Sequence, residues 1–196
     1  MKTYLALGDS YTIGEKVLVE ENFPNQTVAL LNGKLSIPQI IATTGWTTDE
    51  LDAAITAANI TTFDIVSLLI GVNNQYSERT VNNFEIEFEH LVQRAIAFAN
   101  NNSTHVVVLS IPDWGVTPFA EGRDIKKIAT EIDAYNLVCK MAAQKFNTNF
   151  IDITTAQRLD GNKEEFLAAD KLHPSGKEYK KWAERLAEKI NEIHSF

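Results

Sequence analysis

Apolar and polar positions alternate along the chain in two distinct rhythms. Short, nearly continuous apolar runs recur at Tyr4–Leu7, Leu35–Ala42, Asp64–Ile70, His105–Ile111 and Asn149–Ile153. Their length and β-branched content predict buried strands. Pro38 inside the second run demotes that strand to a sheet edge. Between the runs, apolar residues repeat every three or four positions, the spacing of an amphipathic helix. Pro24–Leu31 predicts a short helix, with Pro near its first turn and Gly33 past its end. Thr47 and Glu50 fit a capping box opening a helix through Leu51, Ala54, Ile55 and Ala58. A long helix is predicted over Val81–Ala99, broken by Asn100-Asn101-Asn102. A second carries Ile125, Ile128, Ile132, Tyr135, Val138 and Met141, and a last one carries Tyr179, Trp182, Leu186, Ile190 and Ile193. Ser10–Asn22 reads as a loop or short helical turn, and the stretch from Ile153 to about Asp170 as polar connection.

Strands and helices thus alternate five times, without a repeat, composition shift or linker. That pattern predicts one domain spanning residues 1–196, a three-layer α/β/α sandwich around a five-stranded parallel sheet. Right-handed crossovers favour the flavodoxin-like strand order 2-1-3-4-5, with the first strand at the centre. Ligands of such sheets bind at the carboxyl ends of the strands. The residues there become the candidates for chemistry.

Composition narrows the partners. The 196 residues carry 18 Lys and Arg against 26 Asp and Glu, a formal net charge of −8. Phosphate recognition needs clustered cations, so a nucleic-acid partner is not expected. No apolar run reaches the ~18 residues of a membrane span. The one cysteine, Cys139, falls at a helical apolar position and reads as core. It rules out an intrachain disulfide and a thiolate metal site. His90, His105 and His194 show no ligand spacing and read as structural or exposed. The N-terminus runs straight into the first strand, without a basic, apolar-cored leader. The expected location is cytoplasmic, or extracellular if a leader has been removed.

At the predicted strand exits stand Gly8-Asp9-Ser10-Tyr11, Thr44-Gly45-Trp46 and Gly71-Val72-Asn73-Asn74. Near the C-terminus, Asp170-Lys171-Leu172-His173-Pro174 puts a carboxylate three residues before a histidine. Pro174 biases His173 to extended backbone, and Ser175 with Glu178 fits a capping box that would start the last helix there. A carboxylate on that loop can accept from His173 Nδ1, leaving Nε2 to take a proton from Ser10. No G-x-G-x-x-G, P-loop or Gly-x-Ser-x-Gly occurs, which argues against a dinucleotide module and an α/β-hydrolase.

With these four motifs in this order, the chain resembles the SGNH hydrolases, the GDSL-type esterase and lipase superfamily, over essentially its whole length. The resemblance implies a serine esterase that works through an acyl-enzyme without metal or organic cofactor. It implies Ser10 as nucleophile, His173 as base and Asp170 as its orienting acid, with a Ser-His dyad as the other arrangement open. It implies Ser10, Gly45 and Asn73 as oxyanion donors. Two positions depart from the family pattern: Asn74 stands where Asp is common, and Tyr11 where leucine is. Tyr11, Trp46, Asn74 and Trp114 are the candidates for the substrate pocket. Phe119, like Trp46 and Trp114, sits in a loop on the predicted active side, and packing as a loop anchor is the other role open to these aromatics. The expected partner is a small acyl ester, with short acyl groups favoured because the chain leaves little room for a lid. Acyl transfer, lysophospholipid or thioester hydrolysis, and a catalytically silent binding relative are the alternatives the resemblance leaves. Oligomeric state is not legible in the sequence.

Overall fold

The computed structural model describes residues 1–194, and the His194 side chain lies outside the described part. The five strands are β1 (Tyr4–Gly8), β2 (Gln39–Ala42), β3 (Ile65–Leu69), β4 (Val106–Leu109) and β5 (Asn149–Ile151). They form one sheet in the order β2-β1-β3-β4-β5, every neighbouring pair parallel. The expected sheet order is therefore the observed one. The middle strand is β3 rather than the first strand, and β1 is the interior strand beside it, pairing with β2 on one side and β3 on the other, Gly8 lying opposite both Ala42 and Leu69. Pro38 precedes β2, and β2 is an edge strand, as the proline dictates.

Eight α-helices are described: α1 (Ser10–Ile13), α2 (Phe23–Leu30), α3 (Thr48–Ala58), α4 (Val72–Tyr76), α5 (Val81–Phe98), α6 (Ile125–Lys145), α7 (Thr154–Asp160) and α8 (Gly176–His194). The path from β1 to β2 runs one way across the sheet, and the path from β2 to β5 runs the other. Right-handed crossovers therefore put α2 on one face and α3, α5 and α6 on the opposite face. The packing agrees, with α2 against α8, and α5 against both α3 and α6. Both faces of the sheet are covered, so β1, β3 and β4 are buried along their whole length. The buried hydroxyl of Tyr4 is satisfied by Ser67 on β3, 2.7 Å away. Cys139 is fully buried on α6 among apolar neighbours, in agreement with its core reading.

Two local readings are corrected. Thr47 and Glu50 do cap α3, with the Thr47 N–H donating to Glu50 at 2.9 Å. Ser175 and Glu178 do not cap α8 in the same way. The Ser175 hydroxyl donates to the Glu165 carbonyl at 2.7 Å, and its N–H donates to the Phe166 carbonyl. Glu178 turns inward, where it accepts from the Trp182 indole and pairs with Lys181. The stretch after β5 is not simply polar connection, because α7 lies in it.

Candidate active site

The site begins with what β1 does when it ends. A Cβ on Gly8 would lie 2.1 Å from the Thr12 hydroxyl and 2.4 Å from the Leu69 carbonyl oxygen, the latter being immovable backbone. Only glycine lets α1 fold back this closely on β3. Asp9 then caps α1, its carboxylate accepting from the Tyr11 N–H at 3.0 Å. Ser10 becomes the first residue of the helix, at the carboxyl end of an interior strand. Its N–H is among those a helix start leaves without an intrahelical acceptor.

Asp9 is fully buried, and its second oxygen has no hydrogen-bond partner among the described residues. Burial pushes its carboxyl up to about 7, against the smaller opposing pull of the Tyr11 N–H. It is a buried acid beside the serine rather than part of the surface charge.

From the far end of the chain, the loop before α8 brings His173 onto Ser10. His173 Nε2 stands 2.9 Å from Ser10 Oγ, and Nδ1 stands 2.6 Å from Asp170 Oδ2. Asp170 is fixed in turn by the backbone, Oδ1 accepting from the N–H groups of Leu172 and His173 at 3.0 Å each. Partial burial raises the Asp170 pKa, but the bonds from the His173 side chain and these two N–H groups outweigh it and leave the carboxyl below its ordinary value. An ionised Asp170 on Nδ1 selects the tautomer that leaves Nε2 free to accept. Ser10 and His173 are both buried, and the Tyr11 ring lies 5.0 Å from the imidazole.

Gly45 and Asn73 line the same cavity as the serine. The loop after β2 places Gly45 at φ +87, a conformation suited to glycine, and its N–H makes no hydrogen bond among the described residues. Asn73 lies in α4, which starts directly beyond β3. Its amide donates one hydrogen to the Trp46 carbonyl at 3.0 Å, which orients the group and leaves a second hydrogen to give. Ser10, Gly45, Asn73 and His173 all line one cavity of about 210 Å³. The four motifs therefore converge on a single cavity.

The pocket expectations divide. Tyr11 and Trp114 line the cavity, as does Phe119. Asn74 does not, which corrects its placement there. It is fully buried behind α4, where its side chain accepts from the Thr48 N–H and donates to the Thr48 hydroxyl. Trp46 is corrected likewise, since its ring packs on the hydrophobic core and only its carbonyl serves the site. Thr44, Val72, Tyr76 and Leu172 also line the cavity and were missed. Each lies within three residues of Gly45, Asn73 or His173, so closeness to the motifs was the available signal. Thr44 is bonded through its hydroxyl to Glu15. Among the described residues, no group of His, Cys, Asp and Glu is arranged to hold a metal ion. None of the described helices is long and apolar enough to cross a membrane.

Comparison with known proteins identifies the family and the fold. The family model described as the GDSL-like lipase/acylhydrolase family matches residues 6–181. No curated protein sequence matches the chain. Among solved structures, the chain is similar to a lipase/acylhydrolase from Enterococcus faecalis. The two share 22% identity over 97% of this chain and 95% of that one, with a TM-score of 0.71. It is similar to a psychrotrophic esterase from Pseudoalteromonas sp. at 14% identity, over the whole of both chains, with a TM-score of 0.71. An acetylxylan esterase from Geobacillus stearothermophilus shares 20% identity over 100% of this chain and 94% of that one, with a TM-score of 0.68. At these identities the likeness shows a common fold.

Proposed function

The chain belongs to the GDSL-like lipase/acylhydrolase family, and from that premise we propose that it is a serine esterase hydrolysing small carboxylic esters through Ser10, His173 and Asp170. The observation that carries the reading is the unbroken hydrogen-bond chain from Ser10 Oγ through both ring nitrogens of His173 to Asp170. A nucleophile, a base and an orienting acid in series are what activation of a serine hydroxyl requires.

In the first half-reaction, Ser10 Oγ attacks the ester carbonyl as His173 Nε2 takes its proton. The carbonyl π-electrons move onto oxygen, and that negative charge is met by the N–H groups of Ser10 and Gly45 and by the second amide hydrogen of Asn73. The C–O bond to the alcohol then breaks, His173 returns the proton to the departing oxygen, and Ser10 is left acylated. Water repeats the sequence on the acyl-enzyme and releases the acid. The imidazolium formed in each half is stabilised by the ionised Asp170. Pockets for drug-sized ligands run to about 300–1,000 Å³. The cavity here, about 210 Å³, suits an acetyl or similarly short acyl group.

The test is hydrolysis of p-nitrophenyl acetate by the purified protein and by Ser10→Ala. The wild type turns over, and the variant falls by at least about 10³-fold with its fold intact by circular dichroism. Equal rates in the two proteins would remove Ser10 from the reaction.

A further inference from the structure

Trp114 borders more than one void. It lines the catalytic cavity of about 210 Å³. It also lines a cleft of about 180 Å³ bounded by Gln75, Tyr76, Ile128 and Glu131 and by the charged side chains of Glu78, Arg123, Asp124 and Lys127. Tyr76 borders both spaces as well, so two side chains make the partition. Their rings meet edge to face, 5.3 Å apart at 64°. Trp114 is held in place at its nitrogen, where Nε1 donates to Gln75 Oε1 at 2.7 Å. Gln75 is held in turn, its Nε2 donating to Glu131 Oε2 at 2.8 Å. An indole only donates and a carboxylate only accepts, so the amide between them has one workable orientation.

The direction of the reaction decides what meets this wall. The alcohol departs toward His173 Nε2, which protonates it. The acyl chain therefore points away from both His173 and the oxyanion donors, into the rest of the cavity, whose lining includes Tyr76, Trp114 and Phe119. The partition stands across that path. We propose that the Trp114–Tyr76 pair is the stop that sets the length of acyl chain the site accepts, and that Gln75 is the residue positioning it. The proposal rests on the esterase reading above. With the stop removed, the space of the indole is added to the catalytic cavity, and a longer acyl chain fits.

The experiment measures kcat/KM for p-nitrophenyl acetate, butyrate, hexanoate and octanoate with wild type, Trp114→Ala, Tyr76→Ala and Gln75→Met. A series of n-alkyl acetates is run beside it. Methylenes that fit or fail to fit a hydrophobic pocket change rates by about 10–200-fold each. The wild-type value therefore drops by at least about tenfold from acetate to octanoate. Trp114→Ala raises the octanoate-to-acetate ratio by at least about 20-fold, and Tyr76→Ala moves it the same way. Gln75→Met raises that ratio chiefly through a lower KM for octanoate, whereas a general loss of structure would lower kcat for every ester alike. Deleting a buried indole can unfold a chain, but Tyr76 is 47% exposed and its truncation keeps the test decisive. A ratio that stays within about threefold of wild type in the foldable variants overturns the proposal. So does a change confined to the alkyl acetate series, which would put the wall on the alcohol side. A wild type inert toward acetate overturns the esterase reading, and the proposal with it.

Discussion

Two residues near Ser10 show how different the demands on neighbouring side chains are. Asn73 faces the cavity with one amide hydrogen committed to Trp46 and one to give. Removing a single oxyanion donor costs about 10²–10³ in kcat, so Asn73→Ala is expected to lose that much with little change in KM. A loss below about threefold would take Asn73 out of the oxyanion site. Asp9 faces inward. Its carboxyl is raised by burial to about 7 in the folded state, from 3.8 when exposed. The folded protein therefore holds this proton more tightly than the unfolded one. Stability from Asp9 is fully present below about pH 4 and is lost as pH rises through about 7. Asparagine keeps the bond to Tyr11 without the charge. Asp9→Asn is expected to gain in melting temperature relative to wild type as pH is raised from 5 to 8, with most of the gain reached by 7. A difference that stays flat or shrinks over that range would mean the carboxyl is solvated.

At the level of elements, the departure at Asn74 explains how the cavity wall is built. Asn74 ties the start of α3 to α4 through both its amide atoms, the Thr48 N–H at 3.1 Å and the Thr48 hydroxyl at 2.6 Å. Leaving a buried polar group unpaired costs about 1–3 kcal/mol. Asn74→Ala is expected to lower the free energy of urea unfolding by about that much while keeping the preference among acyl lengths. A stable variant with altered preference would return Asn74 to the pocket. The elements that sequence patterning located are those whose buried faces are apolar. In α5, for example, Phe84, Phe88, Leu91, Val92 and Ala95 are buried. The helix α7 was missed because its buried residues are Thr154 and Gln157, held by hydrogen bonds to Ser110 and Asp113 rather than by apolar contact. The four-residue α1 and five-residue α4 are too short for any periodicity to appear. The capping box at Ser175 failed for a different reason: the Ser175 hydroxyl is taken by the Glu165 carbonyl, and Glu178 turns forward along α8 to Lys181 and Trp182.

For the molecule as a whole, the strand order was legible because few connections satisfy short, right-handed crossovers between parallel strands. That order makes β1 an interior strand and puts Ser10 between the exits of β2 and β3, which lead to Gly45 and Asn73. The family motifs named these residues, and the fold explains why residues so far apart in sequence share one cavity. The pocket was less legible, since whether an aromatic in a loop faces a cavity or the core depends on the packing of the entire domain. Trp114 and Trp46 took opposite roles for that reason. The mechanism turns on the reactivity of Ser10. Incubating the native protein with a fluorophosphonate, then locating the adduct by peptide mass spectrometry, measures it. The prediction is one phosphonyl group per chain, on Ser10, with none on Ser10→Ala and strongly slowed labelling in His173→Ala. Labelling at another serine, or none on folded wild-type protein, would contradict the mechanism.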